Sequence, residues 1–192
     1  MLTAASILRG RSPGSSSKCK RRTKVRSMIT DFLIRLEAAS DREEVEELLL
    51  AAFPTSLELR LVRQLRKDTD VVFSLVAVEA AGVIGHALFS RLCAPAAALG
   101  LGPIAVTEKR RCRGVAAAMI EAGLERAKAE GWAAVVVVGD PSYYPRFGFS
   151  QEAVRGMSCQ YAGPALMGLA LADGGLDGPR IEYASAFSSI PD

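Results

Sequence analysis

Residues 99–116 constrain the chain most. Leu99-Gly-Leu-Gly-Pro-Ile-Ala-Val106 is an apolar run of strand length. A short charged turn follows, Thr107 to Arg113, and then an alanine-rich stretch from Gly114 that reads as a helix. The junction is therefore strand, basic loop, helix N-terminus, with Gly114 where the backbone must approach something closely. The unpaired N–H groups of a helix start, its dipole and the side chains of Arg110, Arg111 and Arg113 all favour an anion there. Phosphate is the obvious candidate, which points to a nucleotide or coenzyme site. The alternative is a helix start with a solvated basic turn.

Two blocks carry a family resemblance. Arg111-x-x-Gly114-x-Ala116 matches the Gln/Arg-x-x-Gly-x-Gly/Ala signature of the GNAT (GCN5-related) N-acetyltransferases and lies at the right distance after a strand ending in Ile-Ala-Val. Gly139-Asp-Pro-Ser-Tyr-Tyr144-Pro-Arg-Phe-Gly148-Phe149 resembles the family's Tyr-x-x-x-Gly-Phe ending, in the Asp-Pro-x-Tyr-Tyr-x-Arg-Phe-Gly-Phe form of a bacterial subgroup. More loosely, the resemblance extends over residues 28–190.

The resemblance implies an α/β (α+β) GNAT fold, a mixed central sheet with helices on both faces, and transfer of an acetyl group from acetyl-CoA to a primary amine by direct attack. It implies that the backbone of Arg111, Cys112, Arg113, Gly114, Val115 and Ala116 holds the coenzyme pyrophosphate. The Ile104 amide would meet the thioester carbonyl, with Ala105 and Val106 along the pantetheine arm. Tyr144, four residues before Gly148, stands where the family's general acid stands, while Tyr143 packs. The strand 99–106 must splay from 133–138 to admit the arm, and Gly100, Gly102 and Pro103 suit a bulge there. No metal is implied. The chain departs from the family in having Val137 where an Asn is frequent, and in having no acid on the strand that could serve as base. By elimination the base is Glu79 beside a hairpin turn, the single histidine His86, or a chain of water. The acceptor, a small molecule or a protein amine, is not legible. By analogy it lies between loops 52–57 and 159–165, near Phe53 and Tyr161, and the scarcity of acids there argues against polyamines. A non-catalytic coenzyme-binding regulatory module is the alternative function.

Charge is split along the chain. Residues 1–27 hold eight Lys and Arg and no acid, and the rest carries 16 basic against 21 acidic residues, so the formal +3 belongs to the tail. That Ser- and Arg-rich segment reads as an unfolded extension, an upstream start, a transit peptide or a nucleic-acid-binding arm. The domain reads as 28–192. No apolar run approaches the ~18 residues that span a bilayer, and Cys19, Cys93, Cys112 and Cys159 show no ligand spacing. A cytoplasmic location with free thiols is expected, and a homodimer is compatible with the family.

Along the domain, Phe32, Ile34 and Leu36 alternate as a first strand. Ser40-x-x-Glu43 reads as a capping box opening a helix with Val45, Leu48, Leu49 and Ala52 on one face. Ser56 opens a second, with Leu57, Leu61 and Leu65 inside and Arg60, Arg63, Arg66 and Lys67 outside. Val71–Glu79 and Val83–Leu92 form a hairpin over Ala80-Ala-Gly82. The helix from Gly114 stops before Gly131, Ala133–Val138 is a buried strand, and Phe149 onward, Ala165–Leu171 and Ile181–Tyr183 are closing strands. There is no Gly-x-Gly-x-x-Gly, which excludes a dinucleotide fold of Rossmann type.

Overall fold

The computed structural model describes residues 32–189, so the expectations for the 1–27 arm lie outside the described residues. Strand β1 (Leu33–Leu36) leads through a 3₁₀ turn to α1 (Arg42–Ala52) and α2 (Leu57–Lys67). Strands β2 (Val71–Glu79), β3 (Gly82–Ala94) and β4 (Ala98–Val106) precede α3 (Val115–Ala129). Then come β5 (Ala134–Val138), β6 (Leu166–Ala170), β7 (Glu182–Tyr183) and a last turn of helix, α4 (Ala186–Ser189).

The sheet runs β1-β2-β3-β4-β5-β6. All neighbours are antiparallel except β4 and β5, which are parallel, as a strand–helix–strand crossover through α3 requires. Period-two alternation along β3 sorts the layers. Ala87 and Phe89 face α3 through Val115, Met119 and Ile120, while Leu88 faces α1 and α2 through Val45, Leu49, Val62 and Leu65. This is the mixed sheet with helices on both faces that the sequence implies.

Local differences have physical causes. The capping carboxylate is Asp41 rather than Glu43: it accepts the Ala38 N–H at 2.7 Å and a two-pronged bond from Arg35, so a 3₁₀ turn over Ala39–Asp41 precedes α1. In α2, Leu59, Leu61, Val62 and Leu65 are buried and Leu57 only half so. Arg66 is not outside. It turns in to pair with Glu37, whose carboxylate also accepts the Ser74 hydroxyl. The strand expected to start at Phe149 is reduced to an isolated bridge between Ser150 and Gly168. Strand β7 does not close against β6. It crosses to pair with the end of β3, Leu92 opposite Tyr183.

Candidate active site

Parallel pairing of β4 with β5 starts at Ala98 opposite Ala134 and stops at Leu101 opposite Val137. Beyond it, β4 bulges against β3: Phe89 faces Leu101 and Ala87 faces Ile104, so one residue of β3 opposes two of β4, Gly102 and Pro103. Gly102 has φ +141°, a conformation that favours glycine. Gly100, by contrast, plays no part in the bulge. A side chain there would meet the Tyr183 ring at 3.0 Å and the Ser90 hydroxyl at 3.3 Å, so its role is to seat Tyr183.

Past the bulge the backbone itself faces the gap. Thr107 N–H donates to Ile84 O at 2.9 Å while Gly85 faces Val106. In an antiparallel ladder this makes Gly85–Val106, and two residues on Ala87–Ile104, the pairs that do not exchange hydrogen bonds. The N–H and C=O groups of Ile104 and Val106 therefore point away from β3, into the space that β5 has left. Ala105 points back to His86.

That space is a cavity of about 610 Å³. One side is β4 from Leu101 to Val106 and the other is Val138, Asp140, Ser142 and Tyr144, with Ala52 and Phe53 from the α1–α2 connection. At its far end are Arg111 and Ala116. The first bond of α3 runs from Ala118 N–H to Gly114 O, so the amides of Val115, Ala116 and Ala117 lie ahead of it, at the positive end of the helix dipole. Gly114 caps this helix at φ +85°. A side chain there would meet nothing within 4 Å among the described residues. The space above Gly114 is open, which fits a cradle for a ligand anion.

The basic loop is not uniformly cationic. Arg110 donates to Glu79 at 2.6 Å, which takes both residues out of their expected parts: Arg110 is neutralised and Glu79 is not a solvated base. Arg111 folds over the cleft, with Nε 3.4 Å from Val106 O and a terminal nitrogen 3.4 Å from Ala52 O. Cys112 and Arg113 are exposed on the turn, Cys112 with φ +58°.

Tyr144 lines the cavity from a 3₁₀ turn over Tyr144–Phe147. Its ring lies flat on Gly139, where a Cβ would come within 2.0 Å of Cε2, and edge-on to Tyr143 and Phe149. Burial pushes its phenol well above the usual value, and the neighbouring Tyr143 and Asp140 add to the shift. The group is thus a protonated donor throughout the neutral range. Tyr143 packs against Tyr144 and Phe147.

His86 does not reach the cavity. It is 0% exposed, on the α1–α2 side of the sheet, with Nε2 3.3 Å from Glu37 Oε2. Burial alone would raise the Glu37 carboxyl, but hydrogen bonds from His86 and Ser74 and the Arg66 charge outweigh it and hold the group below the usual range. This is an internal polar network, not a base. Tyr161 is also elsewhere, its hydroxyl donating to Phe187 O at 3.3 Å and its ring against Tyr183.

The residue that sequence reasoning missed is Asp140, the one carboxylate among the described residues lining the cavity. Its Oδ1 accepts the Ser142 N–H at 2.8 Å and hydroxyl at 2.7 Å, and its carbonyl accepts the Tyr143 N–H at 2.9 Å. Asp140 thus builds the turn that seats Tyr144 and places a negative charge beside it. The signal was the Asp-Pro-Ser turn, legible only as a turn until the strands were seen to part. Together the site offers outward amides for an extended polar arm, a cradle for an anion, a proton donor and one negative charge. Among the described residues no cluster of His, Cys, Asp or Glu could hold a metal, and no helix is long and apolar enough to cross a membrane.

No family model matches the chain. Over 165 residues it is 37% identical to the Escherichia coli K12 protein described as uncharacterized N-acetyltransferase YhbS, covering 82% of this chain and 99% of that protein. Among solved structures it is similar to that GNAT family N-acetyltransferase in complex with CoA, with TM-score 0.78 and 35% identity over 84% of this chain and 94% of the other. It is also similar to a GNAT family acetyltransferase from Brucella melitensis in complex with acetyl-CoA, with TM-score 0.68 and 29% identity over 81% and 97% of the two chains.

Proposed function

The chain belongs to the GNAT family of N-acetyltransferases, and on that premise we propose that it moves the acetyl group of acetyl-CoA directly onto a primary amine, with no covalent enzyme intermediate. The observation that carries this is the parting of β4 from β5 after Leu101, which turns the Ile104 and Val106 backbone into the cavity that Tyr144 shares with Arg111 and Ala116 at the start of α3. The thioester supplies the activated acyl group. In this reading the amides of Arg111 to Ala116 hold the pyrophosphate, and Val106 bonds the pantetheine arm beside Ala105. The Ile104 N–H meets the charge that develops on the carbonyl oxygen, a fixed donor of a kind worth about 3 kcal/mol.

Asp140 receives the acceptor as an ammonium. A proton must leave nitrogen before its lone pair can attack carbon; Asp140 stabilises the cation until that proton passes to water. The C–N bond then forms as the C–S bond breaks, and sulfur takes the phenolic proton of Tyr144. The nitrogen's second proton follows to solvent, and Tyr144 is reprotonated from solvent. The Asp140–Phe149 block further supports a place in the bacterial subgroup that carries this sequence.

Titration calorimetry of acetyl-CoA into the full chain tests the reading. Binding in the micromolar range is expected, and Gly114→Asn, which tolerates positive φ but fills the cradle, should weaken it about 30-fold or more. Absence of heat at high micromolar acetyl-CoA would refute the coenzyme site.

A further inference from the structure

Beyond Ala116 the cleft continues into a second cavity of about 430 Å³, sharing Val106, Arg111 and Ala116 with the first. The cradle at Gly114 opens into it; its floor is apolar, formed by Val115, Ala116 and Tyr143, and Arg110, Arg111 and Arg146 stand around it. Among the described residues no carboxylate lines it.

The three guanidinium groups are not equivalent. Arg110 is spent on Glu79. Arg111 turns toward the first cavity, onto the carbonyls of Val106 and Ala52. Arg146 remains. Its Nε donates to Tyr143 O at 2.9 Å, and its charge lies over the Tyr143 ring, 4.5 Å from the centroid. Both partners are neutral, and among the described residues no carboxylate forms a salt bridge with it. Glu121 is near enough to bear on the Tyr143 phenol but does not line the cavity. The backbone bond and the ring hold the guanidinium in place, so little side-chain freedom is left to lose when a ligand arrives. An apolar floor under a fixed, uncompensated guanidinium suits a flat heterocycle that carries a phosphate, the geometry in which arginine binds strongly.

We propose that Arg146 binds a phosphomonoester on the nucleotide end of the acetyl donor, namely the 3′-phosphate of coenzyme A. The proposal rests on the coenzyme reading above and extends it from the thioester arm to the far end of the donor. It makes the chain selective for free, 3′-phosphorylated coenzyme thioesters. Dephosphorylated coenzyme, and thioesters on a protein-bound phosphopantetheine that lacks the nucleotide, are poor donors on this account.

The test is calorimetry of the full chain with CoA and with 3′-dephospho-CoA at one fixed ionic strength. The wild type should bind CoA about 10- to 100-fold more tightly, the range of a charge-assisted hydrogen-bonded contact. In Arg146→Gln the two affinities should fall within about threefold of each other, with that for 3′-dephospho-CoA unchanged, and Arg146→Lys should keep part of the preference. Equal affinities in the wild type, or a preference that survives Arg146→Gln, would overturn the proposal. So would an Arg146→Gln chain that loses 3′-dephospho-CoA as well, since Arg146 would then only support the turn. If the wild type binds neither ligand, the coenzyme reading itself fails, an outcome distinct from all of these.

Discussion

The two halves of β4 share one strand and differ in almost everything else. From Leu99 to Leu101 the strand is paired on both sides, and Leu99 is 0% exposed between α3 and the sheet. From Gly102 to Val106 it is paired on one side only, and its backbone lines a cavity. In the first half side chains carry the energy and the backbone is consumed by the ladder. In the second half the backbone faces the cavity and, on the proposed reading, is the working part, while the side chains serve as walls. A stability lesion and a functional lesion can therefore lie five residues apart on one strand.

The widest separation should come from Leu99→Ala. Removing a fully buried leucine costs about 2–5 kcal/mol, read as a lower urea midpoint, while the affinity of the folded fraction for acetyl-CoA stays within about twofold. Comparable leakage into affinity would mean the halves are not independent. Tyr144→Phe is the converse: about a 100-fold loss of kcat is expected, with little change in unfolding, because the ring still packs on Gly139 and Phe149. A kcat within threefold of wild type would remove Tyr144 from the reaction.

A smaller effect sharpens the part played by β5. Asp140→Asn preserves an acceptor for the Ser142 contacts and removes the charge, so kcat/KM for an amine such as 2-phenylethylamine should fall about tenfold at pH 7. The deficit should shrink toward pH 10, where about half of the amine has lost its proton. A deficit independent of pH would assign Asp140 to building the turn alone.

The smallest effect lies outside both halves. Hydrogen bonds from Arg35 are the largest cause, with the Ala38 amide, that lowers the Asp41 pKa from 3.8 to about 2. A carboxyl whose folded value is depressed contributes stability above its unfolded value and loses it as pH falls through the folded one. Asp41→Asn should therefore lower the melting temperature at pH 6–7, and the difference should close between about pH 4 and pH 2. A difference that persists at pH 2 would show that shape, not charge, is what Asp41 provides.

What the sequence reveals divides along the same line. Hairpin β2–β3, the crossover β4–α3–β5 and the bulge near Gly102 follow from alternation, alanine content and glycine placement, all local properties. The inward turn of Arg66 toward Glu37, the seat of Tyr183 on Gly100 and the entry of Asp140 into the cavity depend on which strand lies beside which. No residue within ten positions of Gly100 announces Tyr183. Likewise Glu79 and Arg110 are 31 positions apart and meet only because the hairpin ends beside the basic loop. The residues proposed as the cradle can be read together because a single strand–loop–helix junction supplies them, whereas those proposed to handle protons come from several elements.

The outward amides of Ile104 and Val106 also bear on how long the protein survives. A sheet with a missing rung is completed by whatever occupies the gap, so on the proposed reading the donor is a structural member as well as a reactant. Occupancy then adds to the folding equilibrium by mass action, about 2.7 kcal/mol when the ligand stands at 100 times its dissociation constant. The lifetime of this chain becomes a readout of acetyl-CoA supply: a starved cell would hold less of the enzyme because each copy unfolds more often.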